Sequence, residues 1–249
     1  MAKEGTCKFC GQRKKLVKAH IIPRHFYFDY VNEKYRSVDP MDGSWKQCQC
    51  GLYDNDILCK DCDGRVFKQF DDAAYEILLK DISQHIIKQR FDFKLYHFKE
   101  EEFDFSLLRK FFVSVLWRAS ISKLEDFKDI RLGKYQDIAK EIIENKNEYL
   151  QFFNFFIFKF PDNKIFSKII YLQQMHFGKC VAYQLVMSSF CITIIVKNVM
   201  TFETLSVFKP LIVTNEDLYI LESQEVYDNF NNGLLKIAKN WNKYISNKK

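Results

Sequence analysis

Glycine and proline are scarce in this chain, with eight and four residues in 249. So few turn-formers exclude collagen-like, Gly-rich repeat and Pro-rich linker architectures. Long apolar runs are missing as well. The longest uncharged stretch, Cys180 to Val196, spans 17 residues and carries Gln184, Ser188, Ser189 and Thr193. A membrane-spanning helix needs roughly 20 mostly apolar residues, so this stretch reads as buried strands. Residues 1–15 lack the apolar core of a secretory leader, which predicts a cytoplasmic protein with reduced thiols and no membrane partner. No strong charge excess exists either. The 38 basic and 32 acidic residues give +6, which permits a polyanionic partner without arguing for one.

What the chain has is aromatic bulk, with 25 Phe, 13 Tyr and 3 Trp, enough to exclude disorder over most of its length. Helix is clearest at Asp104 to Ser122. There Leu107, Leu108, Phe111, Phe112, Val115, Leu116 and Ala119 form one stripe, and Asp104 or Ser106 can cap it. Helix is also expected from Asp61 to about Arg90, from about Lys134 to Asn145 and from Glu225 to Ile245. Trp117-Arg118 reads as core packing with the arginine reaching out to solvent. Strands are expected at 150–160, 167–172, 181–187, 190–197 and 205–213, broken by Pro161-Asp162-Asn163, Gly178 and Lys197-Asn198. Helices followed by consecutive strands argue for an α+β fold. Charge and cysteine usage divide the chain into an N-terminal part, 1–78, and an α+β part, 79–249, with a helical-plus-antiparallel-sheet pattern.

Six of the eight cysteines fall within the first 62 residues. Cys7-Lys-Phe-Cys10 and Cys59-Lys-Asp-Cys62 are two Cys-x-x-Cys turns, and two such turns complete a tetrahedral shell for a structural Zn²⁺. Cys48 and Cys50 are spare ligands or free thiols, and Cys180 and Cys191 read as buried thiols. Between the knuckles runs Ala19-His20-Ile21-Ile22-Pro23. Asn55 and Ile57-Leu58-Cys59 follow, then Cys62-Asp63.

In order and spacing, this stretch of roughly residues 5–75 resembles the HNH endonucleases, a ββα-metal fold related to treble-clef zinc fingers. The resemblance implies a zinc-bound N-terminal module that hydrolyses DNA phosphodiesters. His20 would be the general base that activates water, and Asn55 would orient the loop that shapes the site. Asp63 would be the oxygen ligand for a catalytic Mg²⁺ or Mn²⁺. Stand-alone proteins of this kind are often restriction or phage-defence effectors. Two positions depart from the family pattern. Ala19 stands where the family has a metal-binding side chain, and Asp63 stands where it has His or Asn. Either Asp63 is the principal ligand, with Asp54, Asp56 or Asp72 nearby, or the module has kept its zinc fold without catalysis and binds nucleic acid or a protein partner.

Seven basic residues stand against one acid in the first 24 positions. Of these, Arg13, Lys14, Lys15, Lys18 and Arg24 flank the His20 segment and would neutralise phosphates of DNA or another nucleic acid. If Pro23 opens a short helix, His25 can turn back as a second ligand, although a surface histidine is the plainer reading. His85, His97 and His176 are isolated and read as structural or surface residues. The run 152–160 reads as a strand buried on both faces. Residues 79–249 would serve targeting, regulation or assembly, through a protein partner or a homo-oligomer.

Overall fold

The computed structural model describes residues 4–27, 35–38, 45–48, 51–161, 169–177, 180–196, 213 and 216–229. Three small β-elements open the chain. β1 (Glu4–Thr6) pairs antiparallel with β2 (Arg13–Lys15), and β3 (Ala19–His20) leads into a 3₁₀ turn, Arg24–Tyr27. β4 (Tyr35–Val38) and β5 (Trp45–Cys48) form a hairpin, and β6 (Tyr53–Asp54) returns to pair antiparallel with β3. Gly51 precedes β6 at φ +80°, where a Cβ would meet the Tyr27 ring at 2.8 Å, so only glycine suits both the conformation and the space.

A helical segment follows. It opens as a π-helical turn, Cys62–Phe67, and continues as α1 (Lys68–Leu78). Phe70, Ala74, Ile77 and Leu78 give α1 its buried face at helical spacing. Helix was expected to run to about Arg90, but it ends at Leu78. Asp81 adopts φ 49°, and residues Ile86–Gln89 become strand β7. There the pull of sheet pairing overrides local helix propensity, because β7 pairs with β8 (Phe93–Phe98).

The stripe at 104–122 forms α2 (Phe105–Ile121). Asp104 caps it by accepting from the Ser106 and Leu107 amides at 2.9 and 3.3 Å. This helix is buried on nearly every side rather than on one face. Phe111 stacks on Phe26 at 5.4 Å, Trp117 on Phe67 at 5.8 Å, and Phe112 meets Phe155 of the sheet at 5.4 Å. α3 (Tyr135–Ile143) packs against it with Ala139, Ile142 and Ile143 buried.

The remaining strands are β9 (Phe153–Lys159), β10 (Ile169–Phe177), β11 (Cys180–Met187), β12 (Phe190–Val196) and β13 (Leu218–Ser223). With β4, β5, β7 and β8 they make a nine-stranded sheet in the order β5-β4-β10-β11-β12-β9-β13-β8-β7. Pairing is antiparallel except at β4–β10 and β9–β13. β9 and β12 are buried on both faces, as the apolar runs implied. One face packs on α2. The other carries Phe160, Tyr171, Val186 and Cys191 under Val226 and Tyr227 of a helical turn at 224–229.

The molecule is therefore a mixed α+β protein built on one large, mostly antiparallel sheet. The boundary at residue 78 is a change of sequence pattern across which packing continues. β4 and β5 extend the large sheet, and the core runs without a break from Cys7 to Ile220. The strand expected at 205–213 lies outside the described residues apart from Val213, as does the terminal helix beyond 229. No helix among the described residues is long and apolar enough to cross a membrane.

Candidate functional site

Backbone hydrogen bonds bring the two knuckles together. In the first, Gly11 donates to the Cys7 carbonyl at 2.9 Å, and its φ of +71° turns the chain back toward β2. Lys8 donates to Ile57 at 2.8 Å, Val17 donates to Leu58 at 3.0 Å, and Leu16 forms an isolated β-bridge with Cys59. The Cys59 amide donates to the Cys7 sulfur at 3.4 Å. The second knuckle folds into the helix start, where Asp63 donates to the Cys59 carbonyl at 3.0 Å.

All four sulfurs lie within 4.8 Å of one another, with Cys10 and Cys59 4.0 Å apart. A tetrahedral zinc with Zn–S bonds of about 2.3 Å requires sulfurs about 3.8 Å apart, so a small contraction completes the shell. Cys7, Cys59 and Cys62 are buried and Cys10 is exposed. Burial pushes the Cys7 and Cys62 thiols up, so a metal must displace their protons to bind. The donor set fits a soft cation, and the cluster can bind zinc. It is complete without Cys48 and Cys50. Cys50 and the Cys48 side chain lie outside the described residues.

Next to this cluster stands the β3–β6 pair. His20 is opposite Tyr53, and their rings meet edge to face at 5.9 Å. Ile21 donates to the Leu52 carbonyl at 2.9 Å, and the Leu52 amide donates to the Tyr27 hydroxyl at 3.1 Å. Asp63, one residue past Cys62, is half-buried in the first turn of the helical segment. Burial pushes its carboxyl up, while the charges of Arg118 and His20 oppose the shift. His20 and Asp63 thus lie within electrostatic reach of each other.

Two further side chains, Arg118 and Asp71, join this group without having been site candidates from the sequence. Arg118 of α2 is 1% exposed and does not reach solvent as expected. Its Nη2 donates to Asp71 Oδ1 at 3.0 Å, and its Nη1 donates to the His20 carbonyl at 2.9 Å. Ser114 accepts twice more, through its carbonyl at 3.3 Å and its hydroxyl at 3.2 Å, and the guanidinium lies over the Phe67 ring at 5.3 Å. Burial pushes the Asp71 carboxyl up and Arg118 opposes this, with Asp63 adding a like charge. Forty-seven residues separate Arg118 from Asp71, so no local pattern could have paired them.

Asn55 is exposed in the bend after β6. Its neighbour Asp54 holds the loop. Asp54 Oδ1 accepts from the Asp56 amide at 2.8 Å, and Oδ2 accepts from Ser122 Oγ at 2.8 Å and the Lys123 amide at 3.1 Å. Oδ1 is thereby committed to its own loop and Oδ2 to the end of α2, so Asp54 serves as a structural tie between the two. Asp54→Ala strands these donors and is expected to lower stability by about 2–3 kcal/mol in urea unfolding, with zinc content unchanged.

Asp72 is paired with Lys68, and Asp56 is half-buried. Ala19 is completely buried opposite Asp54, so a carboxylate there would be desolvated. His25 is exposed and packs on Tyr75 at 5.2 Å. His85 stacks on Phe98, His97 pairs with Asp217 at 2.7 Å, and the His176 side chain lies outside the described residues. Among the described residues, the four cysteines are the group of three or more His, Cys, Asp or Glu side chains whose ligand atoms converge.

The basic residues divide. Lys14 is held by Asp61 at 2.8 Å, and Arg13 approaches Glu4 at 4.0 Å. Lys15 at the end of β2, Lys18 just before β3 and Arg24 at the start of the 3₁₀ turn are exposed, with Lys18 over the Tyr53 ring at 5.0 Å. Compared with known proteins, the chain matches no family model, no curated protein and no solved structure.

Proposed function

We propose that this protein is a metal-dependent endonuclease that hydrolyses DNA phosphodiester bonds, with a zinc-stapled ββα module of the HNH kind at its N-terminus. The observation that carries this reading is the placing of His20 on β3 and Asp63 at the helix start, beside the four-sulfur cluster and near enough for the His20 charge to act on the Asp63 carboxyl. The order of elements supports it: a knuckle, a His-bearing strand, a returning strand and a helix that opens on the second knuckle.

In this mechanism the His20 imidazole accepts a proton from a water molecule, and the resulting hydroxide attacks the phosphorus. The opposite P–O bond to a deoxyribose oxygen breaks as it does so, that oxygen leaving as an alkoxide that takes a proton from solvent. The β3–β6 pairing and the rings of Tyr53 and His20 keep the base from turning away. Asp63 would hold a Mg²⁺ or Mn²⁺ ion, which when bound neutralises charge at the scissile phosphate. Lys15, Lys18 and Arg24 contact neighbouring phosphates and position the duplex without reading its sequence. Zinc on Cys7, Cys10, Cys59 and Cys62 fixes the register of knuckle and strand and takes no part in the chemistry. The biological setting, a restriction or phage-defence effector in the cytoplasm, follows from the resemblance in residues 5–75. Residues 79–249 would recognise a protein partner or a second copy.

One observation favours a second reading, in which the module binds nucleic acid or a protein without cutting. Ala19 is buried where the family has a ligand, and Asp71 is engaged by Arg118. Plasmid nicking separates the two. The endonuclease converts supercoiled DNA to open circles with Mg²⁺ or Mn²⁺. The binding module leaves it intact and binds DNA with an affinity that falls steeply with salt.

A further inference from the structure

The His20 segment is tied to the rest of the chain by a side chain that belongs to neither β3 nor the zinc knuckles. Arg118 projects from the last turns of α2 and is 1% exposed. Its acceptors belong to three elements: Ser114 on its own helix, both carboxylate oxygens of Asp71 on α1 and the main-chain carbonyl of His20 on β3. A helix packed against the large sheet thereby grips the backbone of the residue proposed as base.

We propose that Arg118 is the positioning residue of the site: it fixes the His20 carbonyl relative to α1 and so sets the distance between the His20 ring and Asp63. The inference rests on the nuclease reading for what His20 does, and on geometry alone for where His20 is held. β3 is only two residues long, and β6 is no longer. So short a ladder resists little twisting on its own, and bonds from outside it help to place residues 20–22: Ile21 donates to the Leu52 carbonyl, and Arg118 donates to the His20 carbonyl. Arg118 is the one that reaches across to α1, the helix that continues from Asp63. A planar guanidinium can satisfy a carboxylate and a carbonyl at once, which a lysine ammonium cannot do in the same geometry.

The test compares wild type, Arg118→Met, Arg118→Lys and the double variant Arg118→Met/Asp71→Asn, which leaves no unpaired buried carboxylate should the single variant fail to fold. Lys110→Met, on the same helix but bonded to Asn145, serves as the control. Hydrogen exchange is read at residues 20–22 and 52–54, and steady-state nicking of plasmid DNA is measured with Mg²⁺. Arg118→Met and the double variant are expected to exchange faster at these two segments while α3 and β9–β12 keep their protection. They are also expected to lose about 100-fold in kcat with KM within about twofold, as a displaced base costs rate rather than binding. Arg118→Lys is expected to recover about tenfold, and Lys110→Met to match wild type. Unchanged exchange at 20–22 and 52–54 overturns the proposal, as does equal quickening across the whole chain. In an active wild type, so does a kcat within threefold in both Arg118→Met variants. If wild type never cuts, the nuclease reading fails and the exchange pattern alone decides whether Arg118 positions His20.

Discussion

Cys59→Ser is expected to release the zinc and bring down the N-terminal third of the fold with it. Cys59 is 1% exposed, its amide already donates to the Cys7 sulfur, and it bridges to Leu16 on the opposing segment. Losing one thiolate leaves three sulfurs without a cation, and burial holds two of them, Cys7 and Cys62, as thiols. Structural zinc sites are worth on the order of 10 kcal/mol in isolated fingers, comparable to the whole stability of an ordinary domain. The effect spreads because Phe9, between the first two ligands, meets Phe67 at 5.3 Å and Trp117 of α2 at 5.8 Å. A loss of about 4 kcal/mol or more is expected, which for a chain of this size lowers Tm by roughly 8–16 °C. Zinc per chain and thermal unfolding check it. A stoichiometry of one zinc in the variant would remove Cys59 from the ligand set.

His20→Ala is expected to abolish cleavage without touching the fold. The residue is half-buried and its ring meets Tyr53 edge to face, a contact that truncation removes. The bond from Arg118 goes to the main-chain carbonyl and survives in alanine, as does the antiparallel pairing of Ala19 and His20 with β6. What disappears is the proton acceptor. General-base catalysis contributes about 10²–10⁴ in rate, and the variant is expected to lose that factor in kcat. DNA binding should persist within about twofold, because the phosphate contacts are proposed for Lys15, Lys18 and Arg24. Filter binding at two salt concentrations, beside the nicking rate, checks both halves.

Much of this was legible from residue spacing, and the exceptions have physical causes. The two Cys-x-x-Cys turns announced the four-cysteine cluster because ligand geometry needs only a local turn in each knuckle. α2 was visible within a residue of its ends, since its capping aspartate and apolar stripe are local signals. The stretch 82–98 misled because its strands exist through pairing with each other and with β13, whose partners lie about 120 residues on. β4 and β5 carry no alternation strong enough to stand out, and they are strands because the hairpin adds to β10. Arg118 was the largest miss. One arginine in an apolar run looks like a side chain escaping to solvent, and only the folded chain reveals Asp71 and the His20 carbonyl around it.

The central claim is that the His20–Asp63 pair, stapled by zinc, cuts DNA. Its most direct test is single-turnover cleavage of supercoiled plasmid by wild type and His20→Ala in parallel, with Mg²⁺ or Mn²⁺, zinc being assayed in the same samples. The account predicts open circles from wild type, none from the variant on the same timescale, and one zinc per chain in both. Intact plasmid with wild type under either ion, or equal cleavage by the variant, would contradict it.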